Sequence, residues 1–388
     1  MILHSQFYTP TVISEILVNH IYYENPKLIL DLGAGNGSLV HNAAKKWKEA
    51  ECIAVDIDSK NCDILKKEFR YKVLNLDCLA KNIFRKLRIK ANSVDVAVCN
   101  PPYISINNND DYVKLLHKAK LNNLRIKNRV SSDVVFLAIN LILLKPGGVL
   151  GIIVPYSIIA GKKFKGFRKS LLTNYYLENI FELPEKSFSY TEAKTGILII
   201  RKEVPQNRKT KVSLVEHNQI QDTIYVVKEN LIERMDYRYN KWISKRGSFT
   251  SDDHQVDIRR GKFSYRALKD LGVPYFHTTS FKDHINEFPY NYENLNGVAC
   301  ENTFLLARVG KRCVGKVLYI KSGRVLISDC IYDIRIPNRY VGFFLAYFDS
   351  DEYKEWVSVY AHGICSMVIC KSDLEILINK KIDDFEHS

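Results

Sequence analysis

The chain has no pair of cysteines at CxxC spacing, and its nine cysteines form no repeated framework. This excludes a small disulfide-stapled secreted scaffold. Cys52, Cys99 and Cys330 lie in apolar, strand-like runs, as expected of reduced core residues in a cytoplasmic protein. Cys365 and Cys370 have no histidine pair at zinc-finger spacing, so no metal site is expected. No apolar run approaches the length of a membrane span. The opening "MILHSQFYTP" has no charged segment followed by an apolar one, which argues against a signal peptide and against a membrane partner. Internal repeats and low-complexity segments are missing, and nothing in the composition suggests disorder or a fibrous protein.

What is present is a chain of 388 residues, 46% of them hydrophobic, long enough for two domains. The formal net charge of +14 favours a polyanionic partner. The first half alternates strand-like and helix-like segments. "KLILDLGAGNGSL" is strand then glycine turn, "HNAAKKWKEA" is helical, "ECIAVDID" is a strand, "SKNCDILKKEF" is helical, and "YKVLNLD" and "VDVAVCNPPY" are strands. "SSDVVFLAINLILL" carries a Ser/Asp cap signal and then helical apolar residues. It stops at "KPGG", a turn feeding the strand "VLGIIVP", and "GILIIRK" closes the series. Such alternation predicts βαβ units with right-handed crossovers and a parallel sheet. The polar stretch "EVPQNRKT" breaks the pattern, and the domains are expected at 1–225 and 226–388. The second segment reads as a smaller, mostly β domain with glycines and basic residues interrupting short β-branched runs.

Two motifs fall at strand ends, where open α/β sheets bind ligands. "DLGAGNGSL", Asp31 to Leu39, puts Gly33, Gly35 and Gly37 in the first turn, so the backbone can approach a ligand closely. Asp56 ends the next strand, placed to accept bonds from ribose hydroxyls, and Asp77 ends the third, placed for an adenine amino group. Together they form a nucleoside-binding edge. "VCNPPYIS", Val98 to Ser105, ends the fourth strand in a rigid knuckle, because neither proline can continue a ladder. Such a knuckle has no work in hydride transfer but suits methyl transfer to an exocyclic amine. The Asn100 side-chain oxygen and the Pro101 carbonyl can accept both N–H groups of a conjugated amine, pulling the nitrogen toward tetrahedral geometry. Tyr103 supplies a face for a planar acceptor.

"NPPY" with "DLGAGNG" resembles amino-methyltransferases that use S-adenosylmethionine. "FYTP", Phe7 to Pro10, narrows the likeness to gamma-class adenine-N6 DNA methyltransferases of restriction–modification systems. The resemblance implies a Rossmann-like class I methyltransferase sheet and a flipped adenine. It implies S-adenosylmethionine at Thr9, Asp31, Gly33, Gly35, Asp56, Asp77 and Asn100, with Thr9 near the methionine end. It further implies Pro102 beside Tyr103 at the base, and Phe188, in "FSYTEAKTGILIIRK", on the opposite face of the ring. Phe181 is the rival for that last role, and Ala193 and Thr195 are the small residues leading into the strand. "DIRRGKFSYRALKDLGVPYFHTTSF" and "HGICSMVICKSDLEIL" look like a basic C-terminal target-recognition domain of the type I specificity-subunit kind. Arg259, Arg260, Lys262, Arg308, Lys311 and Arg312 are its candidate DNA contacts.

The expected partner is double-stranded DNA, with a cognate restriction endonuclease as a second candidate and a monomeric state. RNA adenine methylation, methylation of a release-factor glutamine, and a non-catalytic specificity subunit are the alternatives. Release-factor enzymes usually place a helical domain before the sheet, whereas here the glycine turn begins at Asp31. A nuclease is not expected, since the methylase motifs start almost at Met1.

Overall fold

In a computed structural model the described residues are 8–67, 71–122, 128–188, 194–206, 208–246, 256–282, 286–289, 297–363 and 366–387. The chain divides into two units, Met1–Lys241 and Trp242–Ser388. The central strand of the first, β1 (Leu28–Leu32), alternates its side chains between two apolar layers. Leu30 and Leu32 join one core cluster, while Ile29 joins another with Leu17 and Leu39.

Around β1, in chain order, lie α1 (Thr11–Asn19), α2 (Ser38–Lys46), β2 (Glu51–Asp56), α3 (Ser59–Lys67), β3 (Tyr71–Asn75), α4 (Ile83–Leu87), β4 (Val94–Cys99), β5 (Ser105–Asn107), α5 (Asp110–Lys118), β6 (Arg129–Ser131), α6 (Ser132–Leu143) and β7 (Leu144–Pro155). There follow α7 (Tyr156–Ala160), α8 (Lys165–Asn174), β8 (Tyr176–Glu182), β9 (Thr195–Arg201), β10 (Thr210–Glu216), β11 (Gln219–Val226), α9 (Lys228–Glu233) and α10 (Tyr237–Arg246). The nine-stranded sheet runs β11-β10-β8-β9-β7-β4-β1-β2-β3. Strands β3, β2, β1, β4 and β7 are parallel, and β9 runs antiparallel to both β7 and β8. Helix α6 is buried at every position, as its all-round apolar sequence requires. The expected turn at "KPGG" is instead a bulge inside β7. The β4 pairing slips between Val94 and Val96, and Gly147 takes φ +77°.

The second unit holds two small sheets. Strands β12 (Asp257–Arg260), β16 (Thr303–Ala307), β17 (Val317–Ile320) and β19 (Ile331–Arg335) form an antiparallel sheet ordered β12-β19-β16-β17. Strands β13 (Tyr275–Phe276), β14 (Glu287–Pro289) and β15 (Val298–Cys300) all pair with β18 (Ser322–Ile327). Helices α11 (Tyr265–Asp270), α12 (Val341–Asp349), α13 (Asp351–Tyr360) and α14 (Lys371–Glu386) complete it. The glycine of "RRGKF" has a packing reason: a Cβ on Gly261 would lie 2.1 Å from the Ser328 carbonyl oxygen. No helix among the described residues is long and apolar enough to cross a membrane.

Two expectations change. The division falls at 241/242 rather than 225/226, because the segment after β11 packs on the first unit. Leu231, Met235 and Tyr237 join its core, and the Met235 N–H donates to the Ile159 carbonyl at 2.9 Å. The second unit is also not basic. Met1–Lys241 carries 37 lysines and arginines against 24 acids, and Trp242–Ser388 carries 20 against 19.

Candidate active site

The parallel strands β1, β2 and β4 end at one edge, and the glycine turn is built into it by hydrogen bonds from the neighbouring strand. The Gly33 and Ala34 N–H groups donate to the Val55 carbonyl at 2.8 and 2.9 Å. The Gly35 N–H donates to Asp56 Oδ2 at 2.7 Å. Gly33, Gly35 and Gly37 have φ values of +79°, +55° and +84°, a left-handed run that side chains oppose. A Cβ on Gly35 would meet the Tyr8 ring at 3.3 Å. Asp56 is buried and holds the turn from outside it, since its Oδ1 also accepts from the Asp58 N–H at 2.8 Å and the Asn61 amide at 3.3 Å. Asp77 is exposed beyond β3, with Oδ1 accepting the Leu79 N–H at 2.8 Å.

Asp31 lies fully buried beneath this turn. Its Oδ2 accepts from the Val40 N–H at 3.2 Å in the first turn of α2, while Oδ1 has no hydrogen-bond partner among the described residues. Burial pushes the carboxyl up to about 8, the Val40 bond opposes the shift, and the Asp56 charge adds to it. Three left-handed glycines that let the backbone approach a ligand, above a buried carboxyl with one unpartnered oxygen, fit a nucleoside-type ligand, so these residues suit S-adenosylmethionine. Thr9, Asp31, the glycine turn, Asp56 and Asp77 are the groups that would hold it, and it supplies an electrophilic methyl group.

The knuckle stands beside the turn: a Cβ on Gly33 would lie 3.8 Å from the Asn100 carbonyl oxygen. The Asn100 amide donates through Nδ2 to Thr9 Oγ1 at 3.0 Å, and its Oδ1 accepts from the Tyr103 hydroxyl at 3.0 Å. The two bonds fix which face of the amide presents oxygen. One of the two lone pairs on Oδ1 is thereby engaged, an arrangement the reading of Tyr103 as a plain stacking ring missed. Burial raises the Tyr103 hydroxyl well above its ordinary range, and the nearby Asp133 charge raises it further.

The loop after the prolines is fastened by α6. The Ser132 hydroxyl donates to the Pro102 carbonyl and accepts from the Ile104 N–H at 3.1 Å, and the Ser132 N–H donates to the Ile104 carbonyl at 3.0 Å. The expected Ser/Asp cap therefore does different work. Ser131 makes no side-chain cap bond and donates to Asp133 Oδ1, while the buried Asp133 Oδ2 has no hydrogen-bond partner among the described residues. In the sequence, "SSD" marks a helix start and gives no sign of the loop it holds.

Phe188 needs correction as a displayed ring. It is 3% exposed and sits in the core cluster that Tyr103 flanks, together with its rival Phe181. It offers no open face in this arrangement. Thr195 opens β9, and Ala193 lies outside the described residues. In the second unit Arg259 pairs with Asp257 at 2.5 Å, and Arg260 with Asp329 at 3.0 Å. Arg308 donates to the Asp329 carbonyl at 2.9 Å. Arg308 is half-buried, whereas Arg259, Arg260, Lys262, Lys311 and Arg312 are all exposed.

A sheet of this order with a glycine turn, two strand-end acids and an Asn-Pro-Pro-Tyr knuckle defines a class I methyltransferase that uses S-adenosylmethionine. A family model described as N-6 DNA Methylase matches residues 3–264, and the chain belongs to that family. It is 32% identical over 102 residues to the release factor glutamine methyltransferase of Mycoplasma mycoides subsp. mycoides SC, covering 24% of this chain and 35% of that protein. To the type II methyltransferase M.BsuBI of Bacillus subtilis it is 27% identical over 220 residues, covering 48% and 41%. The type IIG restriction endonuclease BpuSI superposes with a TM-score of 0.50 at 16% identity, covering 94% of this chain and 57% of that one, a likeness of fold. The matches span about a third to two-fifths of the length of the curated relatives.

Proposed function

We propose that the chain is a site-specific adenine-N6 DNA methyltransferase of a restriction–modification system, acting on a base flipped out of the duplex. The observation that carries this reading is the Asn100 amide, held by Thr9 and Tyr103 at the end of β4 beside the glycine turn. A second lone pair on Asn100 Oδ1 and the Pro101 carbonyl accept the two N6 hydrogens, so the nitrogen lone pair turns toward the methyl group. The N6–methyl bond forms as the sulfur–methyl bond breaks, and one of the two N6 protons leaves afterwards, so no tuned base is needed. Residues 1–241 are the catalytic unit and 242–388 the target-recognition unit. Family membership supports DNA as substrate.

The release-factor relatives favour a second reading, methylation of a glutamine side chain, because an amide nitrogen could meet the same acceptors. Methylome sequencing of a host expressing the chain tests the two together. N6-methyladenine at one recurring sequence supports the proposal. An unmodified genome, with methyl transfer to a release factor in vitro, would replace it with the second reading.

A further inference from the structure

The excess of positive charge resides in the first unit, where lysines and arginines exceed acids by 13; in the second unit the excess is 1. Within the first unit, "GKKFKGFRK", Gly161 to Lys169, has five basic residues and no acid. It follows β7 and α7. Because Cys99 pairs with Ile152 in the parallel register, β7 leaves the sheet at the same edge as the Asn100 knuckle. Lys162, Lys163, Lys165 and Lys169 are exposed. Lys163 lies over the Phe164 ring at 5.1 Å; burial raises the Asp133 carboxyl, next to the serine that holds Pro102, and the Lys163 charge opposes that shift.

The loop is also built to stay in place. Arg168 is fully buried, and its guanidinium donates to the carbonyls of Ile158, Gly161, Ile232 and Glu233 at 2.6 to 3.0 Å. A buried cation joins both ends of the segment to α9, leaving the lysines outside. Lys165 also pairs with the Glu233 carboxylate of α9, a further tie between the segment and that helix.

We infer that the loop 162–165, centred on Lys162 and Lys163, is a contact for the phosphate backbone of duplex DNA beside the target nucleotide, so that the salt-dependent part of binding belongs to the catalytic unit. This rests on the reading of the chain as a DNA methyltransferase. Phosphates match exposed cations on a fixed loop beside the acceptor knuckle, and such contacts position the duplex without reading sequence.

The test measures binding of the full chain to a duplex of arbitrary sequence by fluorescence anisotropy over a salt series. The double variant Lys162→Ala/Lys163→Ala should lower the slope of log affinity against log salt by about 2, about 1 per lost phosphate contact. Loss should be equal on every sequence, the arginine pair Lys162→Arg/Lys163→Arg should restore binding, and S-adenosylmethionine affinity should not change. Wild-type slope and affinity in the alanine variant would overturn the inference while leaving the proposed activity standing. Stronger binding of an RNA duplex through the same lysines would overturn the assignment to DNA. A wild-type chain that binds no duplex at any salt would overturn both this contact and the DNA methyltransferase reading.

Discussion

The Tyr103 hydroxyl donates to Asn100 Oδ1 at 3.0 Å, so the ring expected to stack on the acceptor also orients the amide expected to grip it. The two functions separate by substitution. Tyr103→Phe keeps the ring and removes a bond worth about 0.5–1.5 kcal/mol, so kcat should fall roughly 2- to 12-fold with DNA binding unchanged. Tyr103→Ala removes a stacking face worth roughly 1–3 kcal/mol per base and should weaken capture of the flipped nucleotide as well. A duplex with 2-aminopurine at the target position reads the difference, since its fluorescence rises on leaving the stack. Equal kcat in wild type and Tyr103→Phe would show that the hydroxyl does not orient Asn100 during turnover.

Asp31 should make stability depend on pH. Its folded pKa is raised to about 8, against roughly 3.9 for an unfolded aspartate. Between those values the unfolded chain has released the proton and the folded chain retains it. The folded state therefore loses stability as pH rises through that window, and loses no more on this account above about 8. Asp31→Asn removes the dependence, so its melting temperature should gain on wild type progressively from pH 4 to pH 8. A constant difference across that range would mean the carboxyl ionises in the fold as it does in water.

Gly35 and Asp56 share one hydrogen bond, and cofactor affinity should report it. Asp56→Ala frees the Gly35 N–H and should cost roughly 1–3 kcal/mol, a 5- to 150-fold weaker Kd. Gly35→Ala places a side chain at φ +55° against Tyr8, costing about 1–2 kcal/mol in backbone strain. Because both changes loosen one turn, the double variant should lose less than the sum. Full additivity in calorimetric titrations would argue that Asp56 acts on the ligand and not through the turn.

The elements that position this site were legible where the signal is local. Strand ends, the glycine turn and the Asn-Pro-Pro-Tyr knuckle follow from runs of a few residues whose backbone chemistry admits little else. What escaped depends on contacts between distant segments. Ser132 reads as a helix cap until the loop 28 to 30 residues earlier lies against it. Phe188 reads as a displayed ring because a single sequence does not say which aromatic residues the core encloses. The second domain reads as basic from the arginines and lysines that interrupt its short runs and from the family resemblance, yet acids elsewhere in the same unit nearly balance them.

Arg168 is the clearest case of a residue whose role comes from distant chain, and its removal should be costly. On a helix it reads as a solvated cation, yet it is fully buried and bonds four carbonyls, two of them 64 and 65 residues away. Burial lowers its pKa to about 10, which still leaves it charged at neutral pH. Arg168→Met fills similar volume but strands these carbonyls without donors, at about 1–3 kcal/mol for each group that water cannot reach. Lysine cannot reproduce a planar fork that reaches four acceptors. Both variants should unfold at lower temperature, with a loss of about 3 kcal/mol or more for methionine and a melting shift of about 6–12 °C for a unit of this size. The salt-dependent DNA affinity should fall with them, since the lysine-bearing loop loses its anchor at Gly161. A methionine variant that melts within a degree of wild type would mean the loop is held by its apolar packing, through Phe164 and Phe167, and that the guanidinium contributes no net stability.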